Sequence, residues 1–279
     1  MQQDTTITIL VDNAEAKGLL SEWGLSVHVQ TPNATVLLDF GQSDAFAHNA
    51  RILGIDLGAI DLAVLSHAHY DHANGMEAFF EANDHALLHL SEACAENCWS
   101  SAGGTSDLHY IGIREGLLER YASRIVTHPV DRVTTLAPHL HLVPHARPHT
   151  DAKGHTKGMY CRLGCCLEPD GFAHELTLVC ELNDGSLALL SSCSHAGVAT
   201  ILQEAQDAFP NQRLSAFIGG LHLMHASDAE VVDVARCFEH YGVEHIWCGH
   251  CTGDYAIRLL ERRLEGRVLM LRPGLAITL

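Results

Sequence analysis

Positive charge is scarce in this sequence. Against 34 acidic residues it carries 17 lysines and arginines, a formal charge of −17 with histidine neutral. A field of that sign opposes nucleic acid and anionic lipid as partners, although divalent cations held in a cleft can invert the potential locally. No apolar run approaches the length of a bilayer span. The first six residues lack a basic segment leading into an apolar one, so no secretory leader is expected. Heptads, low-complexity tracts and short repeats are missing as well. The ten cysteines are scattered singly or in small groups along 279 residues, unlike a secreted disulfide scaffold. These absences point to a soluble protein of a reducing, cytoplasmic setting with a small-molecule substrate, and they are compatible with a homo-oligomer.

What is present suits one large α/β domain: 47% apolar and 18% charged residues provide for a well-filled core. β-branched runs predict strands over 6–11, 25–30 and 35–40. Ser43 or Asp44 can cap a helix that runs to Leu53 and stops at Gly54. A short buried strand is expected over 61–66 and a helix over 73–82, with Met76, Phe79 and Phe80 on its apolar face. A further strand is expected over 86–90. Between 91 and 170 the periodicity loosens around Gly103-Gly104 and several prolines, leaving only short strands over 124–126 and 139–143. This stretch reads as an insertion beside the core of a single domain, 1–279. Strands over 176–182 and 186–191 follow, joined by the turn Asn183-Asp184-Gly185. Helices over 196–208, 227–240 and 253–264 then alternate with strands over 214–218, 244–247 and 267–271. Two runs of strands, each followed by helices, imply two sheets packed together with helices outside.

Histidine is abundant, at 21 residues, and position must decide which of them do chemistry. The strongest signal is His67-Ala68-His69-Tyr70-Asp71-His72. In extended chain, residues two apart point the same way, so His67 and His69 can grip one ion. Asp71 and His72 fall at the turn into the next helix, where they can present a second pair of ligands. Three imidazoles and a carboxylate suit zinc, manganese or ferrous iron.

The motif resembles the His-x-His-x-Asp-His signature of the metallo-β-lactamase superfamily. Further pieces are similar to its branch of 7,8-dihydropterin-6-methyl-4-(β-D-ribofuranosyl)aminobenzene-5'-phosphate synthase-like proteins: Asp12-Asn13, Trp23-Gly24, Asp39-Phe40-Gly41, His48-Asn49, Cys193-Ser194-His195, Gly219-Gly220-Leu221-His222 and Gly249-His250-Cys251. The resemblance implies a four-layer αββα sandwich, with 91–170 as a variable insertion shaping the cleft, and two divalent metal ions, zinc first, with manganese, iron or magnesium as alternatives. His195 would complete the first ion's shell with His67 and His69, and His250 the second ion's with Asp71 and His72. His222 is marked as an active-site residue, either ligand or substrate contact. Many relatives carry a bridging aspartate where this chain has Cys193, so Cys193 is either a bridging thiolate or a small buried residue. Asp39 is read as orienting a ligating histidine from behind, with a surface-turn carboxylate as the alternative.

Other clusters carry less. Cys248 and Cys251 flank His250 without a second pair to make a zinc motif. Cys161, Cys165 and Cys166 could hold a structural ion with His155 or His174, though an ordinary structural role is favoured. His139, His141, His145 and His149 receive no role. Arg147, Lys153 and Lys157 could hold a phosphate or carboxylate, or simply stay solvated.

Together these features predict a metal-dependent hydrolase acting on a small phosphorylated or cyclic molecule through a metal-bound hydroxide, with Asp71 and His222 as catalytic groups. The resemblance also implies a transferase that joins a pterin diphosphate to a ribosyl-aminobenzene phosphate with release of pyrophosphate. A metal-binding protein without turnover, or a mononuclear iron oxygenase, would use the same scaffold.

Overall fold

The computed structural model describes residues 4–101, 107–145 and 158–279. Thr6–Val11, Ser26–Gln30 and Thr35–Leu38 pair antiparallel. Leu62–Val64, Leu87–Ser91 and Ile125–His128 then join in parallel, and Ala276–Thr278 returns from the far end of the chain to lie beside Thr6–Val11. The second sheet also has seven strands. Its antiparallel half is Thr134–Ala137, Leu140–Pro144, Leu176–Glu181 and Leu187–Ser191. Its parallel half runs from Leu187–Ser191 through Leu214–Gly219 and His245–Cys248 to Val268–Met270.

Side-chain alternation along the strands builds the layers. Val36, Leu38, Leu62 and Val64 of the first sheet meet Ala188, Leu190, Ala216, Ile218 and Trp247 of the second in one buried cluster. The residues between them face the other way. Leu37 and Ala63 pack under the helices Ala45–Leu53 and Met76–Ala82. Leu187, Leu189, Phe217 and Ile246 pack under Val198–Ala208, Asp228–Tyr241 and Asp254–Arg263. The result is four layers, helix–sheet–sheet–helix, with each sheet buried on both faces. None of the described helices is long and apolar enough to cross a membrane.

Helix ends follow local chemistry. Gly54 closes Ala45–Leu53 in the left-handed conformation that glycine adopts without strain. Ser227 opens Asp228–Tyr241 with a capping box: its hydroxyl accepts from Glu230 N–H while the Glu230 carboxylate accepts from Ser227 N–H. Ser227→Ala is expected to lower stability by about 1 kcal/mol, read as a shift of the urea midpoint at unchanged slope.

Two differences from the expected pattern have physical causes. The helix expected over 73–82 arrives as two pieces, Tyr70–Ala73 and Met76–Ala82. Gly75 sits between them, where a Cβ would lie 2.0 Å from the Phe40 carbonyl oxygen, so the chain crosses another backbone there. Segment 91–170 splits among three sheets. Ile125–His128 extends the first, Thr134–Ala137 and Leu140–Pro144 extend the second, and the remaining strands form a sheet ordered Cys166–Pro169, Met159–Leu163, Cys98–Ser100, His109–Tyr110.

Candidate metal centre

The residues singled out from the sequence converge because they share one position in the topology: the carboxyl ends of parallel strands. Thr35–Leu38 runs into Asp39 and Leu62–Val64 into the 67–72 motif. Leu187–Ser191 runs into Cys193 and His195, Leu214–Gly219 into His222, and His245–Cys248 into His250. Open α/β sheets bind ligands at such ends. Gly219 and Gly220 let these loops close up: a Cβ on Gly219 would lie 1.9 Å from Ser191 O, and one on Gly220 2.5 Å from both Ser192 O and Cys251 Sγ. Five of the positive-φ non-glycine residues, Asp39, Phe172, Ser194, His222 and His250, stand at the centre or against it. Such strain concentrates where surrounding structure over-determines the backbone.

Two triads result. The ligating atoms of His67, His69 and His195 lie within 4.8 Å of one another, as do those of Asp71, His72 and His250, and all six residues are buried. Asp39 sets the tautomers from behind. Its Oδ1 accepts from Ser66 N–H at 2.7 Å, and its Oδ2 accepts from Ser66 Oγ at 2.7 Å and from His72 Nδ1–H at 2.8 Å. Because the Ser66 hydroxyl proton goes to Asp39, His67 Nδ1–H must donate to Ser66 Oγ, 2.8 Å away. His250 Nδ1–H donates to Asn13 Oδ1 at 3.0 Å. His67 and His72 are thereby each left with a bare lone pair on Nε2, and His250 turns its Nε2 to the same centre.

Those lone pairs are short of partners. His67 Nε2, His69 Nε2 and both ring nitrogens of His195 are buried without a hydrogen bond among the described residues. His72 Nε2 and His250 Nε2 face each other at 3.2 Å, an arrangement that requires a proton or a metal ion between them. Orphaned imidazole nitrogens and one carboxylate form the donor set that a pair of divalent ions requires. The residues therefore fit a dinuclear centre.

The electrostatics agree. Burial, reinforced by neighbouring imidazoles, pushes His67 and His195 well below the ordinary histidine range, and burial lowers His69 to about 3, so all three are neutral. Burial opposes charge on Asp71, but His72 and His250 beside it outweigh that and keep it ionised. Burial likewise opposes charge on His250, yet Asp71, 3.3 Å away, raises it to about 9. In the metal-free protein a proton thus stands where a cation would.

His195 is held by residues that the sequence did not single out. Glu175, buried, accepts from His195 N–H at 2.8 Å and Ala196 N–H at 2.7 Å, and Phe172 stacks on the imidazole with ring centroids 4.4 Å apart. Neither carries a sequence signal, since a lone glutamate after an irregular loop looks like surface. His222, half-buried, lies 4.4 Å ring to ring from His195. Cys193 Sγ is 3.2 Å from His72 Nε2. It groups with His67 and His72 on one side and with His250 and Cys251 on the other. Of the two thiols Cys251 ionises first. Burial works against it, but hydrogen bonds from Cys193 and His222 hold it well below the usual range.

A small cavity of about 180 Å³ opens onto this centre, lined by His69, Asp71, Cys193, His195, His222 and His250, with Trp23 at its lip. Ser100, Ile111 and Met159 close it from the 91–170 side. A larger groove of about 840 Å³ adjoins it and shares Trp23 and His250.

One neighbouring cluster has metal-like spacing: His69, Cys98, Asp170 and His174. The hydrogen bonding argues against an ion there. Ala68 N–H donates to His174 Nδ1 at 3.2 Å, so the His174 proton is on Nε2, which donates to Asp170 Oδ2 at 3.2 Å. The cluster is a hydrogen-bonded support behind His69. Cys165 and Cys166 are exposed, and His174 turns to Cys98, so the structural-ion grouping with Cys161 does not assemble among the described residues. Cys248 is buried in its strand. His139 and His141 face Glu181, and His145 bridges Glu204 and Thr177, all away from the centre. Gly103, Gly104, Arg147, His149, Lys153, His155 and Lys157 lie outside the described residues.

Residues 24–163, half of the chain, match the family profile described as the metallo-beta-lactamase superfamily. The chain belongs to that superfamily. Within it, the similarity runs to the synthase-like branch. The chain is 26% identical over 238 residues to the 7,8-dihydropterin-6-methyl-4-(beta-D-ribofuranosyl)-aminobenzene-5'-phosphate synthase of Methanocaldococcus jannaschii, covering 81% of this chain and 78% of that one. It is 25% identical to an uncharacterized protein of the same organism, over 92% and 94% of the two chains. Among solved structures it is similar to Tm1679, described as a metal-dependent hydrolase of the beta-lactamase superfamily, with a TM-score of 0.83, 28% identity and 98% of each chain covered.

Proposed function

We propose that this protein is a metal-dependent hydrolase of a small phosphorylated or cyclic molecule. The observation that carries this reading is the pair of buried triads, His67–His69–His195 and Asp71–His72–His250, two members of each lining one cavity. Two divalent ions held there, zinc first, would lower the pKa of bound water and polarise a phosphoryl or carbonyl oxygen. Asp71, kept ionised by its neighbours, orients the attacking water and takes its proton. Burial lowers the pKa of His222, but Cys251 raises it further, so His222 keeps a proton to donate to the oxyanion or leaving group. The cavity is smaller than the roughly 300–1,000 Å³ of sites that engulf a whole ligand, so only the reacting group enters and the rest lies in the adjoining groove. The chain acts as one domain in which segment 91–170 sets specificity through Ser100, Ile111 and Met159.

Similarity to the M. jannaschii synthase favours a second reading, a transferase using a pterin diphosphate. One set of assays separates the alternatives. Chelator-treated protein is expected to lose hydrolysis of an activated phosphodiester, thioester or lactone and to recover it with zinc, at two equivalents bound. Two bound equivalents with no hydrolysis of any of these would sink the hydrolase reading. Pyrophosphate release that needs both a pterin diphosphate and a ribosyl-aminobenzene phosphate would establish the transferase. A single bound iron would favour the oxygenase, and metal bound without turnover a binding protein.

A further inference from the structure

We propose that Cys98 and Cys161 are a paired redox site: facing cysteines on adjacent strands that close to a disulfide under thiol oxidation and open again on reduction. The pairing stands on its own geometry. Its effect on the centre rests on the dinuclear reading above.

Register is the first argument. Cys98–Ser100 runs antiparallel to Met159–Leu163, and Cys98 lies directly opposite Cys161. Arg162 N–H donates to Asn97 O at 2.9 Å, and Ser101 N–H donates to Gly158 O at 2.7 Å. Hydrogen-bonded and non-bonded pairs alternate along an antiparallel ladder. Bonds at Asn97/Arg162 and Ser101/Gly158 therefore make Cys98/Cys161 a non-bonded pair. Such pairs bring their Cα atoms to about 4.5 Å, within the roughly 4.4–6.8 Å that disulfides span. Both side chains leave the same face of the sheet, so the backbone is already placed for the bond.

The second argument is the division of labour that burial imposes. Cys161 is half-buried and Cys98 buried, so an oxidant from solvent meets Cys161 while Cys98 is shielded to act as the resolving thiol. In the reduced protein Cys98 Sγ faces Asn97 Oδ1 at 3.7 Å and His174 Nε2 at 3.8 Å. A turn about its Cα–Cβ bond carries the sulfur toward Cys161. Burial, with Asp170 adding to it, pushes the Cys161 thiol up, so oxidation runs faster on the alkaline side of neutrality.

The oxidant is a small-molecule disulfide such as oxidised glutathione. The Cys161 thiolate attacks one of its sulfurs, forms a mixed disulfide and expels one external thiolate. The Cys98 thiolate then attacks the Cys161 sulfur, closes the protein disulfide and expels the second. Two protein thiols are oxidised, one external disulfide is reduced to two thiols, and the two protons pass from the protein to the expelled thiolates.

The place of the pair gives the bond a consequence. The next pair on the same face is Ser100 opposite Met159, and those residues close the cavity above the centre. A covalent tie beside them fixes that wall. It also draws Cys98 away from His174, in the group that supports His69. Metal held beneath a fixed wall exchanges more slowly.

Zinc-loaded protein is incubated with oxidised glutathione at mildly alkaline pH, alkylated, and digested with trypsin without reduction. Cleavage after Arg162 separates Cys161 from Cys165 and Cys166. A peptide joining Cys161 to Cys98 is expected. In a Cys165→Ser/Cys166→Ser variant, which lacks the exposed thiols beside the pair, the same bond should form with loss of two thiols. The bond should persist in Cys94→Ser and vanish in both Cys98→Ser and Cys161→Ser. Oxidation confined to Cys165 and Cys166, a bond from Cys94 to Cys98, or no intramolecular bond at all would overturn the pairing. Zinc transfer to a chelating indicator should slow several-fold in the bonded protein and recover on reduction. An unchanged rate with the bond formed would overturn the effect on the cavity and leave the pairing standing. Failure to load zinc would overturn the dinuclear reading, and the peptide map would still decide the pairing.

Discussion

His69→Ala is expected to bind one metal equivalent fewer than the wild type and to lose turnover by on the order of 10³-fold or more. On the dinuclear reading His69 is one of three donors to the first ion, and all three are buried. An ion held there would supply charge stabilisation, and removing even a single oxyanion donor costs about 10²–10³-fold in enzymes. Elemental analysis and steady-state kinetics on the same preparation check it. A variant with full metal content and full turnover would rule out the proposed role of His69. The second triad does not contain His69, so residual binding near one equivalent is part of the expectation.

Asp39 substitutions should weaken metal binding almost as severely without touching a ligand. Asp39→Ala removes three hydrogen bonds at once, from Ser66 N–H, Ser66 Oγ and His72 Nδ1–H. It also places alanine at a φ of 60°, which aspartate and asparagine tolerate better. Because alanine there also harms folding, Asp39→Asn is the sharper variant. It keeps the backbone conformation and one acceptor, but its amide N–H₂ meets donors from Ser66 and His72. The imidazole of His72 is then driven to carry its proton on Nε2, facing the metal. Zinc affinity should drop by roughly 10–100-fold, measured by competition with a chelating indicator. Affinity within about twofold of wild type would show that Asp39 does not set the tautomers.

Much of this was legible in residue order, for reasons that differ along the chain. Strands such as Thr6–Val11 and helices such as Ala45–Leu53 carry their own signals: alternation, a β-branched run, Gly54 as a stop. The 67–72 motif was legible because its donors are close in sequence. His195 and His250 were legible through resemblance and strand-end position, since no local pattern ties them to residues more than a hundred positions away. What stayed hidden depends on packing alone. Ala276–Thr278 is three residues long, too short for alternation to register, and is a strand only because Thr6–Val11 offers an edge. Glu175, Phe172 and Ser66 are unremarkable residue types whose importance comes from what lies beside them. The Cys98–Asp170–His174 group shows the opposite hazard: residue types and spacing suggest an ion, and a single backbone N–H, that of Ala68 donating to His174 Nδ1, decides otherwise.

The hydrogen bond from His250 to Asn13 spans 237 positions, and this separation has a kinetic meaning. Contacts of such long range form late, because the closure entropy of the chain must be met before they contribute. Neither triad is complete until Leu187–Ser191 and His245–Cys248 have joined their sheet and that sheet has closed on the other. Ions bound by complete triads would therefore join a structure already built. Metal should leave the refolding rate nearly unchanged and slow unfolding instead, acting as a latch on the finished molecule.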